Sequence, residues 1–201
     1  MKTIKETILH NFIFAPIIFS LIISQVSSQS SPSPARPPPE DAPVFARWLV
    51  KQGLWGVLNT LDSARSPFGN VMSYSDGGTG TPYFYLSTLD PTAVFGSINP
   101  RASFTLSEYE LGYSCNGKDP QSPLCAKITF SGRLKLLAPN SKEGSVARGA
   151  LFEKHPQFRG FPLQNGTFNV FKLVIKSIFL VNLAAPQRNL TVEEYYLAKS
   201  T

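Results

Sequence analysis

VMSYSDGGTGTPYFYLSTLDPTAVFGSINPRASFTL, residues 71–106, is the stretch whose reading decides the fold. Val71–Ser75 and Tyr83–Ser87 are short runs of aromatic and β-branched side chains. They are separated by a turn cluster that begins Asp76-Gly77-Gly78 and ends at Pro82, so an antiparallel hairpin is predicted. A third strand, Ala102–Ser107, follows a short crossover that closes with Asn99-Pro100. No catalytic motif lies within the stretch.

Upstream, Asp41 can cap a helix, Pro43 suits its first turn, and Val44, Phe45, Trp48 and Leu49 form an apolar face that stops at Gly53. Trp55–Leu61 reads as a strand, and Phe68–Ser75 with Pro82–Ser87 as the hairpin. Downstream, Ile128, Phe130 and Leu134 alternate with polar residues over Lys127–Lys135, the signature of a strand with one dry and one wet face. Ser141 to Lys154 reads as a helix with Val146, Ala147, Ala150 and Leu151 on one side, ending before His155-Pro156. Phe168–Leu183 reads as a long strand with Phe171, Leu173, Ile175, Phe179, Val181 and Leu183 sharing a face. A last helix opens with the capping box Thr191/Glu194 and a staple of Leu190 on Tyr195. The expected fold class is mainly β with short α-helices. About six mostly antiparallel strands point to a small closed barrel rather than a doubly wound sheet, because the strand–helix alternation of a parallel sheet is missing.

At the N-terminus, Lys2 and Lys5 precede an apolar run from Phe12 to Val26, and Val26-Ser27-Ser28 supplies the small residues of a signal-peptidase site. The run is shorter than the ~20 residues that cross a bilayer, so 1–28 reads as a cleaved secretory signal that leaves no membrane anchor. Residues 29–42, rich in Ser-Pro and with Pro37, Pro38 and Pro39 in a row, read as an extended solvated linker. Residues 43–201 form a single domain, a normal size for one core. Losing Lys2, Lys5 and Glu6 leaves 17 basic and 12 acidic side chains, a net +5.

Cys115 and Cys125 lie in a chain expected to enter an oxidising compartment, where a disulfide is the default. The alternatives are two free thiols or a redox pair, although such a pair is normally spaced Cys-x-x-Cys. Asn165-Gly166-Thr167 and Asn189-Leu190-Thr191 match the glycosylation sequon.

Several chemistries lack their residues. His155 is the one histidine after signal removal, and no Gly-x-Ser-x-Gly elbow occurs. Placed at a helix end, His155 reads as a charge near the C-terminal dipole rather than a base. With both cysteines paired, no metal-ligand cluster remains, and no metal is expected. Gly77-Gly78-Thr79-Gly80 lacks the Lys and helix that make a phosphate loop work. Glu193 and Glu194 sit at a helix start and cannot face each other across a cleft as a glycosidase pair must. The basic charge is scattered, without a dense stripe or a reading element, so no direct nucleic-acid partner is expected.

The strings WGVLNTL (55–61), DGGTGTPYFYLSTLDP (76–91), NPRASFTL (99–106), DPQSPLCAKITFSG (119–132) and VEEYYL (192–197) resemble those of the CREG proteins, secreted glycoproteins. The resemblance runs from about Ala46 to Tyr196, and its most specific string is DPQSPLC. It implies the FMN-binding split-barrel fold shared with pyridoxamine 5'-phosphate oxidase, a homodimer, and a secreted, lysosomal or vacuolar location. It also implies an effect on growth or differentiation. The signal segment, the two sequons and the missing phosphate cations make a receptor or partner that reads the barrel surface and sugars, without catalysis, the expected mode. In the oxidase relatives, the FMN phosphate is held by basic residues on the strand corresponding to Gly69–Tyr74 and just after that corresponding to Tyr83–Leu86. Here the first reads Gly-Asn-Val-Met-Ser-Tyr and the second is followed by Ser87-Thr88-Leu89-Asp90, so the cations are absent and Asp90 repels a phosphate. Ser87 and Thr88 can donate hydrogen bonds, and Arg65 or Arg101 are the cations able to substitute. The expectation is a split barrel without catalytic or cofactor-binding residues. An FMN-dependent oxidoreductase is the alternative.

Overall fold

The computed structural model describes residues 35–112, 115, 117–161, 168–182 and 188–199. The expected signal segment, the first part of the Pro/Ser-rich segment and the Asn165 sequon lie outside the described residues. The strands are β1 (Trp55–Leu61), β2 (Pro67–Ser73), β3 (Tyr83–Ser87), β4 (Arg101–Ser107), β5 (Lys127–Leu136), β6 (Phe168–Val181) and β7 (Arg188–Leu190). The helices are α1 (Ala42–Gln52), α2 (Pro91–Ile98), α3 (Lys142–Lys154) and α4 (Val192–Leu197). One antiparallel sheet runs β2-β1-β4-β5-β6-β3, and β7 joins the far half of β6.

The expected hairpin does not form. β2 pairs with β1 over seven residues, from Trp55 opposite Ser73 to Leu61 opposite Pro67, while β3 pairs with β6. The true hairpin turn lies at Asp62–Ser66, where Asp62 Oδ1 accepts from the Ala64 and Ser66 amides at 2.8 Å each. The glycine-rich turn instead carries the chain from one sheet edge to the other. Those edges meet at one bridge, Ser75 opposite Tyr83, with N···O distances of 3.1 and 2.8 Å. The barrel is therefore split at this seam and not closed.

A second departure is α2, read from sequence as part of a crossover. Asp90 caps it, its carboxylate accepting from the Thr92 amide at 2.7 Å, and Pro91 fills its first turn.

The core follows the strand alternation. Leu58, Phe104, Leu106, Ile128 and Phe130 face inward and are buried. The Phe104 ring meets Tyr74 and Phe84 edge-on at 4.9 and 5.0 Å between centroids. α1 lays Phe45, Trp48 and Leu49 against this core, each fully buried and each stabilising by about 1.5–3 kcal/mol. In α3, Ala147 and Leu151 are buried as expected, but Val146 is exposed.

β6 departs from the single face read in its sequence. Its register against β5 shifts between Ser131 and Gly132, which face Ser177 and Ile175, so Lys176 is the extra residue of a bulge. Phe171, Leu173 and Ile175 face inward before it. Beyond it the face switches to Ile178 and Leu180, leaving Phe179 exposed and Val181 half-buried.

From Arg36 onward the Pro-rich segment is docked rather than solvated. The Arg36 guanidinium pairs with the buried Glu108 carboxylate and lies 4.7 Å over the Phe45 ring, and Asn182 Nδ2 donates to the Pro39 carbonyl at 2.8 Å. Burying the Glu108 carboxylate is tolerable because Arg36 and the Ala126 amide, at 3.1 Å, both donate to it.

Candidate functional site

Three groups of polar residues are candidates. The first lies on the segments that the sequence resemblance matches to the phosphate-holding strands of the oxidases. The α2 N-terminus, a region favourable to anions, is occupied by the carboxylate of Asp90. Asn70 on β2 has its amide turned to Thr92 Oγ1 at 3.2 Å, and Ser87 Oγ accepts from the Leu89 amide at 3.2 Å. The nearby depression of about 330 Å³ is lined by Thr88, Ser97 and Asn169 among apolar residues including Val94, Ile98 and Phe171. No charged donor for a phosphate stands among these groups, so they do not fit the FMN phosphate. Arg65 sits at left-handed φ (65°) in the β1–β2 turn, and Arg101 lines a different depression with Asn59 and Ser103.

The second group is the turn at 76–80. Asp76 is buried and accepts from the Gly78 amide (3.2 Å) with Oδ1 and the Gly80 amide (3.1 Å) with Oδ2. Arg47, buried on α1, donates to the Thr79 and Gly78 carbonyls at 2.7 and 2.9 Å, and Tyr195 Oη donates to the Gly80 carbonyl at 2.7 Å. These bonds fix backbone in the left-handed region, which the glycines adopt freely. The turn is a structural clamp, and no amide of it is presented to a ligand by these bonds.

The third group gathers at the C-terminal end of α1. Tyr74 Oη donates to the Val50 carbonyl at 2.6 Å and Lys154 Nζ to the Lys51 carbonyl at 3.1 Å, satisfying carbonyls that the helix end leaves over. The Lys154 ammonium also lies 4.7 Å from the Tyr74 ring centre. Glu110 Oε2 accepts from the Trp55 amide at 3.1 Å, while its Oε1 is buried without a hydrogen-bond partner. Burial raises Glu110 from 4.5 to about 7, against the opposing pull of the Trp55 and Leu54 amides and of Lys154. Burial also lowers the Lys154 amine, opposed by Asp76 and Glu110. His155 completes the group, with Nε2 2.8 Å from the Tyr74 carbonyl. Read from sequence as a charge at a helix end, it is instead buried, and burial lowers its pKa from 6.5. The neutral ring, donating to that carbonyl, is the favoured form.

The family profile described as CREG, beta-barrel matches residues 37–197. The chain belongs to the CREG beta-barrel family. Protein CREG1 of Mus musculus is 34% identical over 203 residues, covering 92% of this chain and 91% of that protein. Protein CREG1 of Homo sapiens is 36% identical over 177 residues, covering 84% and 79%. Among solved structures, the heme binding protein from Mycobacterium smegmatis superposes with a TM-score of 0.66 at 21% identity. That match covers 83% of this chain and 63% of the other, so the CREG chain spans less than two thirds of that protein. At that identity the likeness establishes the fold alone.

Other residues singled out in this CREG chain fall into place locally. Cys115 and Cys125 are disulfide-bonded, with 4.9 Å between their Cα atoms. Asn189 is exposed on β7, opposite Phe179. Glu193 follows the cap of α4, and Glu194 closes the capping box: its Oε2 accepts from the Thr191 amide at 2.9 Å, and its own amide donates to Thr191 Oγ1 at 3.1 Å. Among the described residues, no three His, Cys, Asp or Glu side chains are placed to hold a metal ion, and no helix is long and apolar enough to cross a membrane. Sequence reasoning missed Arg47, Glu108 and Glu110. A signal existed for Arg47, an arginine amid the apolar run Phe45–Val50, but none for the glutamates, whose burial depends on distant elements.

Proposed function

We propose that this CREG-family chain is a secreted or lumenal glycoprotein that acts without catalysis, as a homodimer whose barrel surface and sugars are read by a cell-surface or sorting receptor. The observation that carries this reading is Asp90. Its carboxylate takes up the α2 N-terminus at the strand end where the split-barrel oxidases bind phosphate, and Asn70 beside it is turned to Thr92. An anion entering there meets like charge and neutral donors, which make weaker phosphate bonds than cations do. The family membership, the apolar leader and the exposed Asn189 support the lumenal, glycosylated part of the reading. The same membership supports, as part of this proposal, a receptor-mediated effect on growth or differentiation.

The test is an absorbance spectrum from 300 to 550 nm of protein purified from a eukaryotic secretory host, repeated after adding FMN and desalting. A flat spectrum is expected. A flavin band that survives desalting overturns the reading in favour of an FMN-dependent oxidoreductase. On the same sample, peptide N-glycosidase lowers the mass if Asn165 or Asn189 carries sugar, and an unchanged mass removes the glycoprotein part.

A further inference from the structure

In the β4–β5 ladder, buried Phe104 faces buried Phe130, so the alternate residues point outward. Thr105 and Thr129 meet there, their hydroxyls 2.9 Å apart, and two steps along each strand stand Ser103 and Ser131, then Arg101 and Arg133. The two arginines are thus directly opposite each other, and both are exposed. Like charges so placed destabilise a sheet.

The neighbouring ladder contains a control. Lys135 faces Lys172, another like-charged pair, and there the fold supplies a carboxylate: Lys172 Nζ lies 2.7 and 2.8 Å from the two Glu143 oxygens. Among the described residues neither Arg101 nor Arg133 has an ion-pair partner. Asp62, just beyond the end of β1, has its Oδ1 committed to its own turn.

Arg101 lines a depression of about 390 Å³ with Asn59, Ser103, Ser131 and Gly132 and the apolar Leu61 and Pro67; Arg133, the next residue after Gly132, adjoins it without lining it. Asn59 Nδ2 donates to Ser103 Oγ at 3.2 Å, which leaves the Ser103 proton to be donated outward. No aromatic ring lines the depression, so a nucleobase has nothing to stack on.

We propose that this outward face binds an oxyanion ester on a sugar, a sulfate or phosphate group held between Arg101 and Arg133 with the ring over Asn59, Ser103 and Ser131. A guanidinium grips such a group with two parallel hydrogen bonds, and a second guanidinium opposite neutralises the remaining charge. The site shares no residue with the Asp90 cap or with the depression beside Thr88 and Ser97. A bound flavin would overturn the function proposed above and leave this proposal untouched.

The test is calorimetric titration of the full glycosylated chain with glucose 6-phosphate, with a heparin-derived sulfated disaccharide, and with plain glucose. Saturable binding of one or both esters and none of glucose is expected, and whichever ester binds more tightly names the source. Arg101→Gln and Arg133→Gln should each weaken it by about tenfold or more, while Lys176→Gln, which removes an exposed cation at the β6 bulge, leaves it unchanged. No saturable ester binding, or an equal loss in Lys176→Gln, overturns the proposal. Without ligand, Arg133→Gln should raise the melting temperature by ~1–3 °C through relief of the repulsion. A fall would show that the arginines are not a strained pair and would overturn the argument for a missing anion.

Discussion

The clamp around the 76–80 turn and the joint at the end of α1 adjoin the same seam of the barrel, and both bury charge. They differ in what is left over. In the clamp the unpartnered atom is Arg47 Nε, on a guanidinium, which is a donor only. In the joint it is Glu110 Oε1, on a carboxyl that can take a proton up. An orphaned atom on a group of fixed charge costs stability and nothing more. On a titratable group the same defect ties stability to pH, because protonation changes both the charge and the hydrogen bonds the group can make. The clamp, whose Asp76 carboxylate has both oxygens hydrogen-bonded, is therefore expected to be rigid and to respond to pH less than the joint does.

The largest effect should come from breaking the clamp. A Cβ on Gly80 would overlap Arg47 Nη1 and lie 2.7 Å from its Cζ, at a φ of +86°. Gly80→Ala should cost about 3 kcal/mol or more by urea unfolding, from displacement of a buried guanidinium added to backbone strain. Gly78→Ala, at φ +73° with open space around it, should cost only the strain, roughly 1 kcal/mol. Equal costs would mean that Arg47 moves aside freely and the clamp is not rigid. Tyr195→Phe removes the donor to the Gly80 carbonyl and should cost about 2 kcal/mol, by the same amount at pH 5 and pH 8. A cost that varies between those two values would erase the distinction between clamp and joint.

What the sequence made legible divides along the same line. The capping box at Thr191, the extent of β1 and the alternation of β5 are local patterns, and each was read correctly. The hairpin was misread because both flanking runs are good strands around good turn residues, yet their partners lie far away in β1 and β6. Register is a long-range property that a turn cluster does not determine. The β6 bulge failed for a related reason: one inserted residue, Lys176, inverts every later side chain without altering composition. The α2 cap, Asp90 before Pro91, is a local signal that the crossover reading leaves out; the charge that repels a phosphate is also the cap. Glu110 had no local signature, since its burial is made by α1, the start of β1 and Tyr74 together.

The smallest and most specific effect concerns that carboxyl. The folded pKa of Glu110, about 7, is raised above its ordinary 4.5, so between those values the folded chain holds a proton that the unfolded chain has lost. The stabilisation from the neutral carboxyl is complete below about pH 4.5 and disappears as pH rises through 7. His155 runs the other way: its folded pKa is depressed below 6.5, so its contribution is present above that value and is lost as pH falls. In the native chain the two slopes oppose each other. Glu110→Gln removes one of them. The variant should gain about 1 kcal/mol over the parent at pH 8, after discounting for the partial exposure of the site, and little at pH 5. Its remaining stability should rise as pH rises towards 6.5, the direction that the depressed His155 imposes. Urea midpoints at half-unit pH steps for both proteins read this directly. Parallel curves would mean that Glu110 is already ionised in the fold at pH 5, and the joint would then respond to pH no more than the clamp does.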